Sequence, residues 1–85
     1  SDTDFAAQVR KALDNLKEVL ESAGSSLDRV LSVQCWLSDW GNWEAMNEIS
    51  VTYFTRDPKP VRATVESGLL PPYMFEIRAV AYVDD

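Results

Sequence analysis

The spacing of apolar residues changes at Gly24 from one helical turn to strict alternation. A chain carrying both periods in succession must contain both a helix and a sheet. Before the glycine, Phe5, Val9, Leu13, Leu16 and Leu20 recur at helical spacing, with Ala6, Ala12 and Val19 beside them. Arg10, Lys11, Asp14, Asn15, Lys17, Glu18 and Glu21 make up the solvated face. Asp2 or Thr3 is placed to cap this helix, Asp4 suits its first turn, and Gly24 ends it. Ser25 to Asp28 reads as a turn, with Ser25 and Asp28 at capping-box spacing. After it, Leu31, Val33, Cys35 and Leu37 alternate with Ser32, Gln34, Trp36 and Ser38, which predicts a strand with one apolar face.

The second half repeats the exchange. Asp39-Trp40-Gly41-Asn42 breaks the strand, and Asn42 is placed to cap a helix through Trp43, Met46, Ile49, Tyr53 and Phe54. Arg56-Asp57-Pro58-Lys59-Pro60 stops that helix. Pro60 to Glu66 alternates as a second strand, Val61, Ala63 and Val65 on one side and Arg62, Thr64 and Glu66 on the other. Ser67 to Pro72 is a connection. Tyr73 to Val83 is a third strand, with Tyr73, Phe75, Ile77, Ala79, Ala81 and Val83 on the apolar side. Met74, Glu76, Arg78, Val80 and Tyr82 form its mixed side. The order helix, strand, helix, strand, strand predicts an α+β fold with both helices on one face of the sheet. The mixed outer face suits contact with another subunit.

Composition narrows the chemistry. A chain of 85 residues is one domain, and residues 1–85 are read here as a single unit. Three Trp, three Tyr and three Phe are many for that length, and some of them suit a subunit interface. With 14 acidic against 8 basic residues the formal charge is −6, which disfavours both nucleic-acid backbones and acidic membrane surfaces. One cysteine and no histidine leave no internal disulfide, no Ser-His or Cys-His pair and few routes to a metal site, so no metal or cofactor is expected. Cys35 falls on an apolar face and reads as a buried structural thiol. An unpaired cysteine fits a reducing compartment, and the expected location is cytoplasmic. No apolar run reaches membrane-spanning length. The chain begins at Ser1 without methionine and is expected to be processed or part of something longer.

Arg62 carries the sharpest chemical signal. An arginine on a rigid strand presents its planar fork in one direction, which suits capture of a small carboxylate. Glu76, on the polar face of a strand expected to pair with it, could act as a base beside the anion. From the spacing alone, a surface ion pair between them accounts for the same two residues.

Several segments then line up, in order, with one family. Asn15 to Val30 resembles the "NLKAVLEAAGSSLDKV" stretch of the Rid (YjgF) reactive-intermediate deaminases. Asn42 to Glu48 looks like their "NDFAAVNE" helix start, and Pro60 to Glu66 like their "PARSxVEV" strand. Leu70-Pro71 followed by Glu76 to Ala81 is similar to their "LP…EIEAIA" ending. The resemblance implies a chorismate-mutase-like α+β fold and a homotrimer with ligand clefts between subunits. It implies hydrolysis of a small enamine or imine carboxylate, 2-aminoacrylate-like, to a 2-keto acid and ammonia. By position, Arg62 matches the carboxylate-binding arginine, Glu76 the residue that orients or activates water, and Asn47 an asparagine near the cleft. Thr64 stands where many members carry cysteine and is expected to join Arg62 and Asn47 in binding substrate through its one hydroxyl, and Arg78 stands where an acid is common. The family domain has a further section before the first helix, with strands and a cleft tyrosine. Residues 1–85 therefore resemble its C-terminal two-thirds, and a companion chain or an upstream segment is expected to supply the missing strands. The same fold without the chemistry, a module for carboxylate binding or assembly, is the alternative. Ribonuclease activity, attributed to some relatives, is disfavoured by the acidic charge.

Overall fold

Asp4 starts the first helix. In a computed structural model that describes residues 4–83, its carboxylate accepts a hydrogen bond from the Ala6 amide at 3.0 Å. The cap is thus Asp4; Asp2 and Thr3 lie outside the described residues. Helix α1, Phe5–Ser22, buries Val9 and Leu13 completely. Each such side chain contributes about 1.5–3 kcal/mol by leaving water. Gly24 ends the helix with φ +83° while its amide reaches the Glu21 carbonyl at 3.1 Å. Only glycine takes that conformation without strain. The expected capping box does not form. Ser25 Oγ instead donates to the Tyr82 carbonyl at 2.7 Å, and Ser26 precedes a single 3-10 turn, Leu27–Arg29, without a side-chain cap.

Strand β1, Val30–Leu37, is central. It runs parallel to β2, Val61–Glu66, and antiparallel to β3, Phe75–Ala81, in the order β2-β1-β3. The two strands expected to pair therefore flank a third. A bulge between Val30 and Ser32 breaks the alternation of β1. Val30 turns into the core and Leu31 is left 49% exposed, the reverse of its expected placing. On β3, Phe75 is buried and Ile77, Ala79 and Ala81 are half-buried. Tyr73 and Val83, expected on that face, lie beyond the strand and are exposed.

Helix α2, Trp43–Tyr53, follows a 3-10 turn, Trp40–Asn42. Asn42 holds the N-cap position but makes no side-chain cap bond. The capping oxygen comes earlier, where Asp39 accepts from the Gly41 amide at 2.9 Å. Met46 and Ile49 join Val9, Leu13, Val33, Leu37 and Phe75 in one core between the helices and the sheet. Phe5 meets Phe75 edge-on at 6.4 Å. The Tyr53 hydroxyl donates to Asp14 at 2.8 Å and ties α2 to α1; desolvation, then this bond, raises its pKa. Arg56 donates to the carbonyls of Asp28 at 2.6 Å, Val30 at 2.9 Å and Pro58 at 3.2 Å, fixing the loop that leads to β2.

The faces of β2 are inverted relative to its hydrophobic pattern. Arg62 stands level with Val33, and Thr64 with Cys35, so these polar residues share the helix-side face. Val61, Ala63 and Val65 are exposed on the outer face, Val61 at 73%.

Candidate functional site

The inversion of β2 turns Arg62 toward a cavity beneath α2. Its volume is about 220 Å³, and it is partly open to solvent. Val33, Val51, Phe54, Pro60 and Ile77 supply its apolar wall; Cys35, Asn47, Ser50, Lys59 and Arg62 supply its polar groups. No acidic residue lines it. β2 holds Arg62 rigidly because its backbone is paired with β1 from Val61 to Glu66. The guanidinium carbon lies 5.4 Å from the centroid of the Trp43 ring. This cation–π contact restrains the guanidinium beside the indole, and its planar fork of N–H donors suits a planar anion. Asn47 reaches the same cavity from the middle of α2.

Cys35 forms part of the floor and is 1% exposed. Burial pushes its thiol up to about 11, against the opposing pull of Arg62. A thiol held protonated at neutral pH is a packing group rather than a nucleophile. Thr64, level with Cys35, is half-buried but does not line the cavity.

Arg62 and Asn47 are thus brought together, and Glu76 is not. Glu76 stands level with Trp36 on β3, on the outer face, and is exposed. Within one chain it is separated from Arg62 by β1 and by the thickness of the sheet. The ion pair that spacing allowed is ruled out by the same geometry. Among the described residues, no group of three or more His, Cys, Asp or Glu could hold a metal ion. No helix in them is long and apolar enough to cross a membrane.

Sequence reading passed over Ser50, Lys59 and Trp43. Ser50 interrupts the apolar face of α2 between Met46 and Tyr53, and an isolated small polar residue on a core face is a usable signal. Lys59 precedes the Arg62 strand between two prolines, a context that signals only a break in structure. Trp43 belongs by spacing to a hydrophobic face, where contact with a cation leaves no separate trace.

Comparison with known proteins gives concordant matches. A family model described as endoribonuclease L-PSP matches residues 1–83. A RutC family protein of Pyrococcus horikoshii is 41% identical over 80 residues, which cover 93% of this chain and 63% of that protein. The chain therefore spans less than two thirds of this relative's length. Among solved structures, a Yersinia pestis protein of unknown function from the conserved Rid protein family superposes with a TM-score of 0.90 at 32% identity, covering 95% of this chain and 65% of that one. A putative translation initiation inhibitor from Salmonella typhimurium superposes with a TM-score of 0.87 at 38% identity, covering 94% and 70%.

Proposed function

The chain belongs to the Rid/YjgF family, and on that premise we propose that it serves hydrolytic deamination of a small enamine or imine carboxylate, 2-aminoacrylate-like, to a 2-keto acid and ammonia. The observation that carries this reading is Arg62, in cation–π contact with Trp43 and facing an acid-free cavity shared with Asn47. The guanidinium binds the substrate carboxylate through two parallel N–H donors. Protonation of the enamine at its terminal carbon gives the imine. Water then adds to the imine carbon, losing a proton to give a carbinolamine. Its carbon–nitrogen bond breaks as the nitrogen leaves as ammonia and the hydroxyl proton passes to solvent, balancing the one that the terminal carbon took from solvent. Glu76 accepts the proton from water and returns it to the departing nitrogen. No metal or cofactor takes part.

Because Glu76 lies on the outer face, the reading assigns it to the cavity of a neighbouring subunit in a homotrimer. Assembly also supplies the burial that a general base at neutral pH needs. The exposed apolar outer face, with Val61 at 73%, Val80 at 57% and Val65 at 43%, supports such a contact. We assign strands from a companion chain or an upstream segment to the open edge of β3. The unpaired cysteine suits a reducing compartment, and we place the protein in the cytoplasm on that ground. A net charge of −6 weighs against RNA as a substrate.

The separation of Glu76 from Arg62 favours a second reading, a non-catalytic small-carboxylate-binding or assembly module. Ammonia release from freshly generated 2-aminoacrylate, corrected for the spontaneous reaction, decides between them. Acceleration above the blank supports the deaminase. A rate equal to the blank, together with binding of pyruvate, supports the module.

A further inference from the structure

The cavity collects two cations and no acid in a chain with 14 acidic and 8 basic residues. One cation suffices for a monocarboxylate. Lys59 is the second, and one hydrogen bond orients it. Its Nζ donates to the Phe54 carbonyl at 2.9 Å, where α2 ends. An ammonium has three donors, so this bond leaves two for other partners.

Ser50 gives an independent observation at the same place. It is 5% exposed, lines the cavity, and its Oγ has no hydrogen-bond partner. A hydroxyl within a helix commonly returns to a carbonyl one turn back. Thr52 on the same helix does so, donating to the Ile49 carbonyl at 2.6 Å. A buried hydroxyl left unpaired is unfavourable, so Ser50 has a hydrogen bond to give to a molecule that enters the cavity. Asn47, one helical turn away, faces the same space.

We propose that the cavity takes a dicarboxylate: Arg62 binds the carboxylate beside the reacting carbon, and Lys59 with the Ser50 hydroxyl receives a second, distal one. The inference rests on the carboxylate-binding role given to Arg62 above and narrows the substrate to small dicarboxylic enamines or imines. The volume of about 220 Å³ is several times the roughly 30 Å³ that a liquid water occupies, and suits such a molecule. Val33 and Ile77 offer apolar contact to the carbons between the two charged ends. Ser50 reaches the distal oxygen by turning about its Cα–Cβ bond, which brings the hydroxyl out of the cavity wall.

The test uses calorimetric binding of two 2-keto acids of equal chain length to the intact protein. 2-Oxoglutarate and 2-oxopentanoate differ only in a terminal carboxylate against a methyl. The expected result is that 2-oxoglutarate binds about tenfold more tightly or better, the scale of one charge-assisted hydrogen bond. The ratio of the two dissociation constants falls toward one in Ser50→Ala and, separately, in Lys59→Met. Lys59 is exposed, so its variant keeps the test open if Ser50→Ala fails to fold. Arg62→Lys should weaken both acids together. Equal binding of the two acids to the parent, with both weakened by Arg62→Lys, overturns the dicarboxylate inference and leaves the role of Arg62 standing. A preference for 2-oxoglutarate that survives both Ser50→Ala and Lys59→Met also overturns it. If neither acid binds, or Arg62→Lys changes neither, the inference and the reading of the site fall together.

Discussion

Arg62 owes its position to two neighbours, the β1 backbone that holds its strand and the Trp43 ring that its guanidinium lies over. Lysine at this position keeps the charge and loses the fork. Arg62→Lys should therefore weaken carboxylate binding by about 1.5–3 kcal/mol, read by calorimetry with pyruvate. Glu76→Gln should act on turnover instead, lowering it roughly 100-fold with little change in binding. Imine hydrolysis followed by keto-acid formation measures both, and parent-like values in both variants reject the proposed site. Thr64→Ala should be milder, since Thr64 does not line the cavity. Cys35 predicts a pH dependence of stability. Its thiol is pushed up to about 11 in the fold from an ordinary 9.0. Between those values the unfolded chain has lost a proton that the folded chain keeps. Stability is thus full below about pH 9 and declines as pH rises toward 11. The loss from this group is on the order of 2–3 kcal/mol. Tyr53 shifts in the same direction, so the comparison belongs in a Tyr53→Phe background. Urea unfolding of Cys35→Ala in that background should show a flatter profile across this window; an unchanged slope contradicts the assignment.

At the level of elements, the helix that ends at Gly24 and the strand that begins at Val30 differ in how local their causes are. Gly24 has φ +83°, and a Cβ there meets only Val83 Cγ1 at 3.5 Å. The penalty for Gly24→Ala is therefore conformational, about 1 kcal/mol or more. At Gly68 the φ is not positive and nothing lies within 4 Å of a Cβ, so Gly68→Ala should stay within about 0.5 kcal/mol of the parent. Thermal unfolding of the two variants tests the contrast, and equal losses would falsify it. The bulge in β1 and the inversion of β2 have no such local cause. Val30 is buried and Leu31 left exposed where the pairing of β1 with β3 shifts register. Arg62 can occupy the helix-side face because α2 leaves a cavity over β2 rather than covering it.

At the scale of the whole molecule, the outer face of the sheet is the feature that a single chain leaves unresolved. Leu31, Val61, Val65 and Val80 are all more than 40% exposed there. The proposed homotrimer covers this face and brings Glu76 of one copy toward the Arg62 cavity of another. Light scattering of the intact protein at micromolar concentration should give a mass three times that of its protomer. Val65→Glu should shift the population toward monomers and lower activity with it, although the residue does not line the cavity. A monomeric parent, or a Val65→Glu variant that stays trimeric, removes the assembly reading.

The element order and the helix end at Gly24 were legible in the sequence because each depends on neighbours a few residues apart. Periodicity is a local property, and so is the backbone freedom of one glycine. The family, too, was legible, since Asn15 to Val30 and Pro60 to Glu66 carry it in contiguous runs. Which way β2 faces was not legible. Its apolar residues point outward, and alternation reports that two faces differ without naming the one that meets the helices. The separation of Arg62 from Glu76 followed from the strand order β2-β1-β3, a long-range pairing that spacing along the chain does not encode. Ser50 and Lys59 became neighbours of one cavity only when α2 was laid across the sheet. The sequence alone therefore determined the elements and their chemistry, while tertiary packing decided which side chains share a space.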